Sequence, residues 1–199
     1  MKLGIIVEGE TEYFCIPELV SKLEHTVTGR HHLRGVGSDY PWEDVCIKLV
    51  YPYVRGFALQ NSVRRPDKVV IVVDREERPE CCGGLATQGE EILKEKLAEE
   101  NLAINLSIVL PNTQFECWLL AEAELLDRCP MFKRPLSRLI GGITDGKDIL
   151  SIINANLKPS RNWDKIRFGL ALAKKLDLSK GTVLQRSRSL RKFVKELTN

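Results

Sequence analysis

Two short apolar runs without polar alternation stand out in the chain, and each of them ends in a carboxylate. The first covers residues 3–7 and precedes Glu8, and the second covers residues 69–73 and precedes Asp74. Runs of this kind are typical of strands that are buried on both faces of a parallel sheet covered by helices. Ligands bind beyond the carboxyl ends of the strands in such sheets. We therefore expect Glu8 and Asp74 to lie together at one edge of a sheet.

Helical periodicity follows the predicted strands. After residues 3–7, apolar positions at the i, i+3, i+4, i+7 spacing predict a helix that buries one face. Further helices are predicted over residues 42–61, 87–100 and 114–126, and further strands within residues 30–40 and over residues 102–110. This alternation indicates an α/β fold with a mostly parallel sheet flanked by helices.

The pattern changes after residue 129. Residues 130–147 are rich in Pro, Gly and basic residues, which predicts a connection, and two or three helices follow it. The last helix places Leu190, Phe193 and Leu197 on one face. We therefore predict an α/β domain over residues 1–128, with a basic, mostly helical C-terminal extension over residues 129–199 packed on it.

Charge is distributed unevenly along the 199 residues. Residues 1–157 hold 18 Lys and Arg against 24 Asp and Glu, a net charge of −6, whereas residues 158–199 hold 12 against 3, a net charge of +9. A basic segment of this kind binds polyanions such as nucleic acid, or it docks on the acidic part of its own chain. The sequence leaves both interpretations open.

The sequence argues against membrane proteins, secreted proteins and proteins with a CxxC metal site. No apolar stretch approaches the roughly 20 residues that cross a bilayer, and the first residues lack the pattern of a signal peptide, so we expect a cytoplasmic protein without membrane contact. The six cysteines form no CxxC pair. Cys15, Cys46 and Cys117 fall at core positions of helical patterns, and the adjacent Cys81 and Cys82 are expected to be reduced thiols.

The motif E-G-E-T-E covers residues 8–12. Gly9 permits a tight turn between the strand and the helix, and Thr11 is a candidate helix cap. Acids in a first helical turn are favoured by the helix dipole, which explains Glu10 and Glu12 without any function. Glu8 directly follows a buried strand and is therefore the candidate for chemistry.

Two further acidic motifs follow strands. Asp74 and Glu76 are two residues apart, so in an extended segment they project to the same side and offer carboxylates to a hard cation such as Mg²⁺. Glu116 follows the strand at residues 102–110. It is also three residues beyond Thr113, the spacing of a helix capping box, and that interpretation alone is sufficient to explain it.

These motifs together resemble a known family. V-E-G-x-T-E after an N-terminal strand, followed by an apolar strand ending in D-x-E, is similar to the TOPRIM domain of primases, topoisomerases and several nucleases. F-E-x-W-L-L-A-E at residues 115–122 and S-x-S-L-R-K-F at residues 187–193 resemble a TOPRIM-like family of prokaryotic proteins. The resemblance implies a TOPRIM-like (Rossmann-like) fold. It also implies a possible partner ATPase and a role in defence against phages.

The resemblance assigns roles to individual residues. It implies that Glu8 acts as a general acid or base and that Asp74 and Glu76 bind Mg²⁺ or Mn²⁺. Many TOPRIM sequences have Asp where this chain has Glu76. Either Glu77 or Glu116 completes the metal site, and the F-E-x-W motif makes Glu116 the better choice.

Three functions follow as hypotheses. The first is a metal-dependent phosphodiester hydrolase, a nuclease acting on DNA or RNA, in which the basic tail holds backbone phosphates without reading sequence. The tail residues expected to bind nucleic acid are Arg186, Arg188, Arg191 and Lys192. The second is a non-catalytic TOPRIM-like binding subunit that works with an ATPase. The third is nucleotidyl transfer, ranked last because no template-gripping domain is evident.

Overall fold

The computed structural model describes residues 1–35 and 39–198, and its centre is a sheet of four parallel strands. The strands are β1 (Lys2–Val7), β2 (Thr26–His32), β3 (Lys68–Val72) and β4 (Asn105–Val109), in the order β2-β1-β3-β4. All three strand pairings are parallel. The predicted α/β class is confirmed, and the flanked parallel sheet is consistent with a Rossmann-like architecture.

The two apolar runs that end in carboxylates are neighbours in the sheet. Val7 of β1 is paired with Val72 of β3, and the N–H of Glu8 donates to the carbonyl oxygen of Val72 at 3.2 Å. Both strands are buried on both faces, apart from the exposed first residue of β1. The predicted adjacency is therefore confirmed, and Glu8 and Asp74 leave the sheet at the same edge.

The second strand lies earlier than predicted. β2 starts at Thr26, whereas the sequence pattern placed a strand within residues 30–40. Residues 36–38 of that range lie outside the described residues. β2 is an edge strand with alternating exposure, and Gly29 makes room for the Phe57 ring, because a Cβ there would lie 2.7 Å from a ring carbon. This polar, glycine-containing strand lacks the apolar run that identified the others.

Ten α-helices occur in the described ranges. They are α1 (Glu10–Lys22), α2 (Trp42–Asp44), α3 (Tyr51–Ala58), α4 (Cys82–Glu99), α5 (Glu116–Leu119), α6 (Leu136–Ile140), α7 (Ile149–Asn156), α8 (Lys165–Lys175), α9 (Gly181–Arg186) and α10 (Arg188–Thr198). None of the described helices is both long and apolar enough to span a membrane.

Two predicted helices differ from the observed helices, one in its regularity and one in its first residue. The helix predicted over residues 42–61 contains a π-helical segment, Val45–Val50, just before Pro52, whose missing N–H interrupts regular helical bonding. α4 starts at Cys82, before the predicted start near residue 87. The Cys81 thiol caps this helix by accepting a hydrogen bond from the N–H of Gly84 at 3.3 Å.

The helix predicted over residues 114–126 is also divided. α5 gives way to a 3₁₀ segment, Leu120–Leu126, in which Glu122 has non-helical angles (φ −117°, ψ 56°). The buried Glu122 carboxylate accepts a hydrogen bond from the N–H of Asp177 at 3.0 Å and pairs with Lys180. These tertiary contacts, which the sequence pattern does not show, override the helical preference.

The chain after residue 130 is more helical than predicted. Four helices, α7 to α10, follow residue 147, where two or three were expected, and α6 lies inside the predicted connection. Trp118 donates a hydrogen bond from Nε1 to the Ser189 hydroxyl at 2.7 Å, and its ring lies 5.0 Å from that of Phe193. One apolar cluster contains residues from both predicted ranges, from Leu3 to Leu197.

A carboxylate cavity at the sheet edge

A cavity of about 510 Å³ lies at the carboxyl ends of β1 and β3. Acidic side chains dominate its lining: Glu8, Glu10, Glu12, Asp74, Glu76, Glu116 and Asp164. Lys165 is the one cationic side chain among the described lining residues. The four acids that the sequence singled out for chemistry, Glu8, Asp74, Glu76 and Glu116, are all present, and we call this space the carboxylate cavity.

Glu8 is held directly against the second acidic motif. Its Oε2 accepts a hydrogen bond from the N–H of Asp74 at 3.0 Å. Burial and the nearby Glu76 charge raise the pKa of Glu8 to about 7, and this hydrogen bond and Arg78 only partly oppose that shift. A carboxyl group with a pKa near neutrality exchanges a proton easily at physiological pH, as a general acid or base must.

Asp74 carries an unsatisfied acceptor. Its Oδ1 is buried and has no hydrogen-bond partner within the described parts of the chain. Burial raises the pKa of Asp74 well above its ordinary value, and the charges of Glu12, Glu8, Glu116 and Glu76 raise it further. A buried oxygen without a hydrogen-bond donor raises the free energy of the folded state. A ligand that binds this oxygen would lower that free energy.

The segments that carry Glu76 and Thr113 adopt unusual backbone angles. Glu76 has φ 51° and Thr113 has φ 85°, and the N–H of Glu76 donates to the Thr113 carbonyl oxygen at 3.1 Å. A β-branched residue at positive φ is a strained exception. Residues 74–76 are therefore not the extended segment that we predicted, although Asp74 and Glu76 still line one cavity.

The capping-box interpretation of Glu116 is wrong. Phe115, not Thr113, precedes the first residue of α5, and it makes no side-chain cap. The buried Glu116 carboxylate instead lies 3.6 Å from the Lys165 ammonium. Thr11 likewise does not cap α1, because Gly9 takes the cap position without a side-chain hydrogen bond.

Glu12 is the acidic residue that sequence reasoning undervalued. It is 5% exposed, and burial raises its pKa to about 8, with further contributions from Glu116 and Glu8. Helical side chains lean toward the helix N-terminus, so an acid in the first turn of α1 points back at the strand end. A Cβ on Gly9 would lie 2.5 Å from Oε2 of Glu12, so glycine leaves room for this carboxylate. The EGxxE spacing was the available signal.

The C-terminal extension supplies one wall of the cavity. Asp164 caps α8 by accepting a hydrogen bond from the N–H of Arg167 at 2.9 Å, and Lys165 follows it. α8 lies close against α1, because a Cβ on Gly169 would lie 2.9 Å from a methyl group of Thr11. The sequence analysis assigned no role to Asp164 or Lys165, which lie far from the acidic motifs in the chain.

Arg78 brings a positive charge beside the cavity. It is 4% exposed, and its Nη1 donates to the carbonyl oxygens of Asp74 and Arg75 at 3.2 and 3.3 Å. Its charge lowers the pKa of Glu8. The loop that follows Asp74 is thus organised around Arg78, which sequence reasoning had not singled out.

The four predicted tail residues divide into two groups. Arg186 forms a bidentate ion pair with Glu124, at 2.6 and 2.7 Å, and also donates to the carbonyl oxygen of Ala121. Arg188 and Arg191 are exposed on α10 and Lys192 is partly exposed. Arg186 therefore has a structural contact, whereas the other three present positive charge to solvent.

The donor set of the carboxylate cavity fits a hard divalent cation. Mg²⁺ and Mn²⁺ prefer carboxylate oxygens, and a cation would satisfy Oδ1 of Asp74 and offset the repulsion that raises the pKa values of Glu8 and Glu12. No three His, Cys, Asp or Glu side chains in the described residues are already gathered as a metal-binding set. A cation would have to draw these carboxylates inward.

Comparisons with protein-family models, with curated proteins and with solved structures gave no significant match. The carboxylate cavity and the sequence motifs are therefore the features of this protein that point to a function.

Proposed function

We propose that this protein is a metal-dependent phosphodiester hydrolase, a TOPRIM-type nuclease acting on DNA or RNA. The observation that carries the proposal is the buried, unpartnered Oδ1 of Asp74 inside a cavity lined by Glu8, Glu12, Glu76 and Glu116. A divalent cation would bind this oxygen, and a phosphodiester is an anionic substrate that a bound cation would hold. The parallel order of β1 and β3 and the position of both motifs support the TOPRIM-like assignment.

Asp74 and Glu76 would hold Mg²⁺ or Mn²⁺, with Glu12 and Glu116 as further carboxylates within the same cavity. When bound, the metal supplies Lewis acidity, which stabilises negative charge on a phosphoryl oxygen. Glu8 would take the proton of the attacking water, because its carboxylate is held against the backbone of Asp74 at the edge of the same cavity. Lys165 offers a positive charge at the rim of the same cavity.

The competing hypothesis is a non-catalytic binding subunit. It expects Glu8, Asp74 and Glu76 to lie outside metal-bridging reach of one another. The three residues line one cavity, which supports the hydrolase, but no three acids of the described residues are gathered as a metal-binding set, which is what the binding subunit expects. A partner ATPase and a role in phage defence remain proposals that rest on the resemblance in the motifs.

The test combines metal binding with cleavage. Wild-type protein and the Asp74→Asn variant are titrated with Mn²⁺ by calorimetry, and both are incubated with end-labelled DNA and RNA in Mg²⁺, Mn²⁺ or EDTA. The proposal expects metal-dependent cleavage by the wild type only. Unchanged Mn²⁺ affinity in Asp74→Asn, or wild-type metal binding without cleavage of either nucleic acid, would contradict it, and the latter would favour the binding subunit.

A further inference from the structure

A second pocket, of about 320 Å³, lies beside the carboxylate cavity and has the opposite charge. Arg188 and Lys192 line it, one helical turn apart on α10, together with Asn112 and Gly83. Leu110, the residue after β4, contributes apolar surface. We call this space the cation pocket.

The two cations of the cation pocket are available to a ligand. Within residues 1–35 and 39–198, the side chains of Arg188 and Lys192 have no hydrogen bond and no ion pair, unlike Arg186, which is held by Glu124. Two positive charges four residues apart on one helix repel each other weakly. An anion between them would remove that repulsion and be bound by both.

The one acid of the cation pocket is already engaged. Asp145 accepts hydrogen bonds from the N–H groups of Arg188 and Ser189, at 2.8 and 3.1 Å, and from the hydroxyls of Ser187 and Ser189, at 2.7 and 3.0 Å. Its carboxylate is therefore directed at the start of α10 and not at the two cationic side chains. The pocket keeps a positive character.

The first turn of α4 also lines the pocket, through Cys82 and Gly83. Gly83 lies in the first turn of α4, where main-chain N–H groups lack an intrahelical acceptor and favour anions. These features add to Arg188 and Lys192.

The cation pocket and the carboxylate cavity are both lined by residues of one short segment of the chain. Leu110 and Asn112 line the first, and Gln114 and Glu116 line the second. Asn112 and Gln114 are two residues apart, so their Cα atoms are separated by at most about 7 Å. A nucleic-acid strand, which carries a phosphate at every nucleotide, can therefore reach both pockets at once.

We infer that the cation pocket binds a second backbone phosphate of the strand whose scissile phosphate occupies the carboxylate cavity. The substrate is then a polynucleotide and not a mononucleotide. This inference rests on the proposed function. It deepens that proposal by assigning to Arg188 and Lys192 a single shared phosphate contact site close to the carboxylate cavity.

The test measures binding without metal, so that the cation pocket is examined separately from chemistry. Arg188→Gln/Lys192→Gln is compared with wild type and with Lys174→Gln/Lys175→Gln, which removes two charges from exposed positions of α8. The probes are a fluorescein-labelled 16-base-pair DNA duplex and its single strand, titrated in EDTA at several salt concentrations. Inorganic phosphate and a mononucleotide serve as competitors.

Because the two side chains share one phosphate, the pocket variant should lower the slope of log affinity against log salt by about 0.9 for the duplex and about 0.7 for the single strand. The lysine control should retain the wild-type slope. An unchanged slope in the pocket variant, an equal loss in the control, or displacement of the probe by inorganic phosphate at the oligonucleotide's own concentration would overturn the inference. If the slope falls as expected but Asp74→Asn keeps its Mn²⁺ affinity, the cation pocket stands and the hydrolase proposal fails.

Discussion

The N–H of Asp74 donates a hydrogen bond to the Glu8 carboxylate, with 3.0 Å between N and Oε2. This bond joins two acidic motifs that are 66 residues apart in the chain. It forms because β1 and β3 are parallel neighbours, so that both strands end at the same edge of the sheet. The position of the candidate base is thereby fixed relative to the candidate metal ligand.

Replacing Asp74 by Asn should abolish divalent-metal binding and leave the fold intact. Burial and, after it, repulsion by the neighbouring carboxylates raise the pKa of Asp74, so an uncharged amide at this position should make the metal-free variant unfold at a higher temperature than wild type at pH 8. Calorimetry with Mn²⁺ and thermal melting measure the two effects. A variant that melts earlier and binds Mn²⁺ as before would refute both expectations.

Glu10→Gln is the matched control for Asp74→Asn. Glu10 lines the carboxylate cavity but is exposed in the first turn of α1. Its loss should cost at most about 0.3–1 kcal/mol of helix stability and leave Mn²⁺ affinity near that of wild type. A large loss of metal affinity would show that Glu10 belongs to the metal site.

Metal-free protein should lose stability as the pH rises from about 4.5 to about 8. Glu8 and Glu12 have ordinary pKa values of 4.5, which burial raises to about 7 and about 8 in the fold. The folded state therefore binds more protons than the unfolded state in this window, so the free energy of unfolding falls with increasing pH. Denaturant melts in EDTA across this range measure the slope.

Mn²⁺ should reverse this pH dependence. The metal binds ionised carboxylates, so its stabilising effect should be larger at pH 8 than at pH 5. The same melts with Mn²⁺ provide the comparison. A stability curve in EDTA that rises between pH 5 and 8 would indicate that Glu8 and Glu12 are stabilised as anions in the fold.

Glu12→Gln should weaken Mn²⁺ binding and raise the stability of the metal-free protein at pH 8. Glu12 is buried beside Gly9, and its ionised form is disfavoured by burial and by Glu116. Because the glutamine keeps the shape of the side chain, packing against Gly9 should persist. Parallel titrations of Glu12→Gln and Glu10→Gln distinguish a buried metal ligand from a neighbouring surface acid. Equal Mn²⁺ affinities of the two variants would show that Glu12 is not a metal ligand.

Gly169→Ala should destabilise the packing of α8 on α1. Its Cβ would meet a methyl group of Thr11 at 2.9 Å, whereas a Cβ on Gly56 of α3 would meet nothing within 4 Å. Both changes bring the same gain in helix propensity, so Gly169→Ala should be less stable than Gly56→Ala by about 1–3 kcal/mol. Urea denaturation measures this difference, and equal stabilities would show that Thr11 moves aside freely.

The basic residues near the C-terminus should separate by function. Removing Arg188, Arg191 and Lys192 together should lower the salt slope of duplex binding by about 1.8, at about 0.9 for the phosphate shared by Arg188 and Lys192 and about 0.9 for a phosphate at Arg191. Arg186→Ala should instead leave the slope unchanged and cost about 1 kcal/mol of stability, because it breaks the ion pair with Glu124. Salt titrations and melting curves of both variants provide the measurements. A lower salt slope in Arg186→Ala would show that Arg186 also contacts the nucleic acid.

Sequence patterns predicted the buried part of the fold well. Residues of β1 and β3 contact apolar neighbours on both faces of the sheet. Both faces therefore require apolar side chains, and the sequence of each strand is an uninterrupted apolar run. The bounds of β2 were predicted incorrectly because an edge strand needs no apolar run. Its contact with Phe57 requires a glycine instead. The division of residues 114–126 depends on Glu122 and Asp177, whose contact no local pattern shows.

The candidate site was predictable to the extent that its residues follow strands. Glu8, Asp74, Glu76 and Glu116 were identified because they come just after predicted strands or belong to family motifs. Glu12 was attributed to the helix dipole, since local sequence does not reveal that its side chain is buried. Lys165 comes from a distant helix, and its place beside Glu116 depends on how α8 packs on α1.

The hydrogen bond between Trp118 and Ser189 has a consequence for biosynthesis. Trp118 is fully buried, and Phe193 of α10 completes its surroundings. During translation the sheet strands leave the ribosome before α10 does, so the contacts of Trp118 with Ser189 and Phe193 can form only after α10 has been made. The carboxylate cavity, whose wall includes Lys165, likewise cannot be completed before α8 has been made.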